Sequence, residues 1–236
     1  MVSVFSMRRR TLLFSLPLAL GLLGGCSAFE DAEPPGKALD KARSTFVDAG
    51  SVSFELEHSA IPKGRNGVSA AEGSGIIDKK EPKFQGQVTG VIDGNSAGVE
   101  IIAVDKKTWM SFFTKDFNTV DMDKIGAPNP AEFFRPGTGV DQIIANTENA
   151  KAGEQTRDGD TVLQEYSGTV PAKDIQRLFG LGKKAKEFDV TYGIEPDSGE
   201  LRTVEIRGDF YEEKPTEFTL EVSDYGDDVD ITAPKK

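Results

Sequence analysis

Cysteine is nearly absent from this sequence. Cys26 stands alone, which excludes an internal disulfide and any cysteine cluster for a metal. Histidine is as scarce: His58 is the only one. It closes a strand-like run on the apolar side, where a histidine is ordinarily a packing residue. A hydrolytic triad needs a base beside a nucleophilic serine, and no Gly-x-Ser-x-Gly motif occurs. No Gly-rich phosphate loop is present either. The chain is therefore read as a non-enzyme without cofactor or metal. Positive charge is also short, with 28 Lys and Arg against 39 Asp and Glu and a net charge of -11. Such a body lacks the basic footprint of a nucleic-acid binder and is repelled by anionic headgroups except where a lipid anchor holds it. Solubility accounts for most of that charge.

Long apolar runs are missing with one exception, residues 11–23. That run is too short to span a bilayer comfortably. Arg8, Arg9 and Arg10 precede it, and Leu23-Gly24-Gly25-Cys26 follows. This is the layout of a signal peptide ending in a lipobox, with residues 1–26 as the signal and Cys26 as the acylated residue. Arg9-Arg10-Thr11-Leu12-Leu13 leaves twin-arginine export open beside the general route, and Met7 is an alternative start. An acylated Cys26 uses the last thiol, so the mature body depends on its core alone. Residues 27–36 read as a short acidic tether stiffened by Pro34-Pro35. Residues 37–236 read as one domain.

Within that domain, residues 37–49 have helical spacing: Ala38, Leu39, Ala42 and Phe46 share a face and Gly50 is a stop. Strand periodicity follows. Val52, Phe54, Leu56 and His58 alternate with polar residues. So do Phe84, Val88 and Ile92, ahead of the turn signal Asp93-Gly94-Asn95. Residues 129–146 predict two short helices about Pro136-Gly137, and residues 150–159 a polar loop. A short helix is expected over 171–179. Phe188, Val190, Tyr192 and Ile194 alternate again, as do Phe218, Leu220 and Val222. The sum is about ten strands and three or four helices. It predicts an α+β fold: a large curved antiparallel sheet, or half β-barrel, with helices across its concave face.

Asp121, Asp123, Gly126 and Glu132 echo calcium-loop spacing, but Ile125 fills a ligand position and Pro128 and Pro130 break the flank. Asp224, Asp227, Asp228 and Asp230 read as a solvated edge. The glycines at 73, 75, 86 and 90 fall at even spacing on inner strand faces. They either leave apolar volume above the sheet or make room for side chains from the helices.

The order of these features resembles the mycobacterial lipoprotein family of LppX, LprA, LprF and LprG. The resemblance rests on the lipobox, tether and Ala-rich helix, and on Ser51-Val52-Ser53-Phe54 opening the sheet. It rests also on Gly86-Gln87-Val88, on the central run from Asn129-Pro130-Ala131 through Pro136-Gly137 to Val140, and on the close Val222-Ser223-Asp224-Tyr225-Gly226. Asn129 and Val140 stand where that family usually has Asp and Leu. The resemblance implies a sheet like that of the LolA and LolB carriers. It implies cargo of acylated glycolipid or another multi-chain lipid, an anchored place on the outer side of the cell membrane, and an efflux-type transporter as a partner. On that architecture Phe84, Val88, Ile92, Val99 and Ile101 would form a cavity floor. Phe133, Phe134, Ile143 and Ile144 would form its lid, and Tyr192, Ile206, Phe218 and Leu220 the far wall. The competing expectation is a surface lipoprotein with a filled core that binds a partner protein.

Overall fold

The computed structural model describes residues 32–112 and 116–235. The expected signal peptide, Cys26 and the first half of the tether lie outside the described residues. All of the described residues belong to one compact unit.

Among the described residues, eleven strands form one antiparallel sheet. They are β1 (Ser51–His58), β2 (Gly67–Ile76), β3 (Lys83–Ile92), β4 (Asn95–Val104), β5 (Lys107–Ser111), β6 (Asn118–Val120), β7 (Glu148–Asp158), β8 (Thr161–Pro171), β9 (Glu187–Ile194), β10 (Leu201–Gly208) and β11 (Thr216–Ser223). Their spatial order is β6-β5-β4-β3-β2-β1-β11-β10-β9-β8-β7. Two meanders thus meet at the centre, where the first strand pairs with the last: Phe54 faces Val222 and Leu56 faces Leu220. β7 corrects the loop expected at 150–159. Its residues are exposed almost throughout, because it is an edge strand, so it carries no alternation to read.

One face of the sheet is apolar and lies under the helices. α1 (Pro35–Ala49) buries Ala38, Leu39, Ala42 and Phe46 and ends at Gly50 in the left-handed conformation. The single turn α2 (Met122–Ile125) starts at Asp121, whose carboxylate accepts from the Lys124 amide. Asp121 is therefore a helix cap, and no group suited to a metal occurs among the described residues. A 3₁₀ turn spans Pro130–Phe134. α3 (Val140–Ala145) and α4 (Ala172–Phe179) complete the cover. The cover is lopsided. α1 packs on β7, β10 and α3, and α4 packs on β8, β9 and α3, whereas over β2, β3 and β4 it is the 3₁₀ turn that packs.

The other face is polar and acidic. Glu55 lies directly opposite Glu72 on β2 and Glu221 on β11. Like charges in facing positions destabilise a sheet by a few tenths to about 1 kcal/mol. Glu55→Gln should accordingly raise the denaturation midpoint, with the gain shrinking in high salt. An unchanged midpoint in urea titrations at low and high salt would refute this. Two shallow hollows open on this face; Glu55, Glu57, Glu72, Gln87 and Thr89 line one together with Leu56, Ala70 and Ala71, and Ser53, Ser74, Ser223 and Asp224 line the other together with Phe54. The carboxylates among them are unsuited to acyl chains.

Candidate functional site: the hollow face of the sheet

Strand register arranges the inner face in transverse rows. The deepest row runs through Val52, Gly75, Phe84 and Ala103. Here the interior is filled. Phe134 descends from the 3₁₀ turn, its ring centroid 5.5 Å from Phe54 and 6.4 Å from Phe84. It lies directly over Gly75, where a Cβ would come within 2.2 Å of the ring. In the next row Gly73 has φ +151°, and a Cβ there would meet the Gln85 carbonyl at 2.2 Å. These two glycines serve different ends: Gly75 makes room for a ring, and Gly73 lets two backbones approach. Gly90 has nearly open space where a Cβ would stand. The glycine pattern thus supports both of its readings, at different depths.

The 3₁₀ turn is pinned by Arg135. Its guanidinium donates to Asp105 Oδ1 at 2.6 Å, to both Glu132 oxygens at 2.8 and 2.9 Å, and to the Lys79 carbonyl at 2.8 Å. The hydrogen bonds to Glu132, then to Asp105, raise its pKa above the ordinary value. Asn129 Nδ2 donates to the Asp105 carbonyl at 2.6 Å.

The third row is different. Leu220, Leu56, Ala71, Val88 and Val99 are successive ladder neighbours on β11, β1, β2, β3 and β4. All five are only half-buried, as are Phe133 and Phe179 on the cover. These side chains make one continuous, half-buried apolar strip along β11 and β1–β4 beside the 3₁₀ turn, a shallow trough in the inner face. Its far side is an aromatic wall in which Phe179, Phe210 and Phe218 sit 4.8–6.0 Å apart.

His58 belongs to that wall. It stacks on Phe218 with centroids 4.2 Å apart, and its Nε2 pairs with Thr216 Oγ1 at 3.0 Å. Burial lowers its pKa. A histidine whose folded pKa lies below the unfolded value adds stability above about pH 6.5 and loses it as pH falls. The melting temperature should therefore drop between pH 7.5 and 5.5, and His58→Phe should flatten that slope. Equal slopes would contradict the assignment.

The residues singled out from sequence separate by depth. Phe84, Ile101 and Phe134 are buried together in the filled zone. Ile143 and Ile144 are buried on α3. Tyr192 is fully buried, with its hydroxyl bonded to Thr147 Oγ1 at 2.7 Å and its pKa raised by burial. Ile206 and Phe218 are ladder partners in the wall. Val88, Val99, Leu220 and Phe133 border the trough. Ile92 shares the inner face but stands at the strand end, 62% exposed, outside the hollow. The sequence reading omitted Leu56 and Ala71 from the site, although their alternation was visible. It also omitted Phe179, which only the tertiary fold brings to Phe133, at 5.2 Å.

The architecture, one open antiparallel sheet under a partial helical cover, is shared with solved lipoprotein structures. The structure of LprF from Mycobacterium bovis matches with a TM-score of 0.73 at 14% identity, covering 86% of this chain and 97% of that one. LppX from Mycobacterium tuberculosis matches with a TM-score of 0.57 at 14% identity, over 84% of this chain and all of that one. In sequence, the lipoarabinomannan carrier protein LprG of Mycobacterium tuberculosis is 22% identical over 232 residues, 96% of this chain and 95% of its own. The family model of the LppX_LprAFG lipoproteins matches residues 35–231, and the chain belongs to that family.

Proposed function

We propose that this protein is a membrane-anchored lipid carrier. It takes an acyl chain of a glycolipid, or of another multi-chain lipid, into the trough and moves the lipid across the cell envelope. The observation that carries the reading is the half-buried row Leu220, Leu56, Ala71, Val88 and Val99 on the face that should be core. A chain of about sixteen carbons needs roughly 12 kcal/mol of apolar shelter, and a trough under a partial cover is where this fold offers it. Kinship with a protein named as a lipoarabinomannan carrier supports glycolipid as the cargo. Acylation at Cys26 would hold the body at the outer side of the cell membrane, where an efflux-type transporter could supply or receive the lipid. The filled deep zone fits an unloaded state. In the loaded state the 3₁₀ turn lifts and a tail takes the space of the Phe134 ring.

The test is organic extraction of the purified chain from residue 27 onward, expressed in an actinobacterial host, followed by mass spectrometry. A stoichiometric acylated lipid supports the carrier. No lipid, together with stable capture of one envelope protein, favours the partner-binding alternative.

A further inference from the structure

We infer that His58 and Tyr211 form a hydrogen-bonding site at the rim of the trough for an uncharged oxygen of the cargo, an acyl ester carbonyl or a hydroxyl; this rests on the carrier reading. On β1 the next inward position after Leu56 is His58, and its ladder partner is Phe218 of the aromatic wall. Tyr211, in the loop between β10 and β11, lies beside it with ring centroids 5.5 Å apart. Both side chains are deeply buried, with His58 9% and Tyr211 5% exposed. Yet His58 Nδ1 and Tyr211 Oη have no hydrogen-bond partner among the described residues. A buried polar atom without a partner is costly and uncommon. Here two occur on neighbouring rings.

The surroundings hold this pair in place. Thr216 Oγ1 lies 3.0 Å from His58 Nε2, and Arg65 Nη2 donates to the Tyr211 carbonyl at 3.0 Å. The tyrosine hydroxyl fits only because residue 67 is glycine. A Cβ there would stand 2.3 Å from Oη but 3.4 Å from the ring carbon that bears it. The hydroxyl, and not the ring, requires the glycine. Gly67 also borders free space. Beyond the chain neighbours of Gly90, only the Gly67 carbonyl oxygen, at 3.8 Å, comes within 4 Å of where a Gly90 Cβ would stand. Gly90 is two residues on from Val88 of the trough and on the same face.

The neighbours select an uncharged group. The rings packed on His58, besides Tyr211, are Phe210 and Phe218. Burial lowers the His58 pKa and raises that of Tyr211, so both are neutral near pH 7. Arg65 is committed to the Tyr211 carbonyl and to Glu213. A carboxylate here would lose its water without gaining a counter-ion. An ester carbonyl accepts from the tyrosine hydroxyl and from Nδ1–H, and a lipid hydroxyl satisfies either imidazole tautomer.

The experiment uses the chain from residue 27 onward, which retains the whole compact unit. Methyl palmitate, hexadecanol, palmitate and hexadecane, delivered from cyclodextrin, compete with the uncharged dye N-phenyl-1-naphthylamine. Tyr211→Phe and His58→Phe should each weaken methyl palmitate or hexadecanol about fivefold or more, the effect of losing one hydrogen bond in an apolar site. Hexadecane should bind all three proteins equally. Which of the two ligands weakens tells an ester carbonyl from a hydroxyl. The melting temperature of unloaded Tyr211→Phe should not fall, since its hydroxyl has no partner to lose. Equal binding of ester and alcohol by wild type and both variants overturns the site and leaves the carrier standing. So does a loss shared equally by hexadecane, which would make the pair mere packing. A loss confined to palmitate assigns the pair to a carboxylate and overturns the inference. A wild type that binds none of the four overturns the carrier reading, and this inference with it.

Discussion

Val88→Trp should abolish loading of an acyl probe while the protein remains folded. Val88 stands between Ala71 and Val99 on the ladder, half-buried, in the row where the trough opens. An indole placed there projects into the hollow. The helices α1, α3 and α4 lie over the other half of the sheet and are not displaced. The cost to folding should therefore be that of a partly exposed substitution, within about 1 kcal/mol. The cost to cargo is far larger. Filling the trough takes shelter from half or more of a tail, on the order of 6 kcal/mol for a sixteen-carbon chain. That is a loss of several thousandfold or more in affinity. Probe titration beside a thermal melt checks both halves. Equal loading by variant and wild type would place the cargo elsewhere.

Phe134→Ala should separate a plug from an ordinary core residue. The ring is 5% exposed and fills the space over Gly75 between Phe54 and Phe84. Its removal should cost the unloaded protein about 3–5 kcal/mol. If a tail occupies the same space in the loaded state, lipid restores much of that loss. The rise in melting temperature on adding probe should then be larger in the variant than in the wild type. A ring that never yields its place gives equal rises. Gly75→Ala offers the complementary change, since its methyl group would force the ring out while leaving the ring itself intact.

The sheet was legible because its central strands are buried on one face only. Val52, Phe54 and His58 on β1, and Phe188, Val190 and Tyr192 on β9, stand inward at every second position. β7 was not legible, since an edge strand whose residues are exposed almost throughout has no apolar period. The site was only half legible, for a related reason. Alternation assigned Val88, Ile92, Val99 and Leu220 to the inner face. How deeply each lies depends on where the cover stops, and no local pattern in residues 122–147 encodes that. Gly75 was visible as a gap, but nothing in the sequence linked it to Phe134, which lies 59 residues away in the chain. Arg135 falls within the family-like central run. Its grip on Asp105 and the Lys79 carbonyl depends on two turns brought together by the sheet.

The most direct measurement is photo-crosslinking of a fatty acid bearing a diazirine along its chain, with adducts mapped by tandem mass spectrometry. Adducts on Leu56, Ala71, Val88 and Val99, displaced by unlabelled lipid, are the predicted result. Adducts confined to the acidic outer face, or none that unlabelled lipid displaces, would contradict the claim that this bowl shelters an acyl tail.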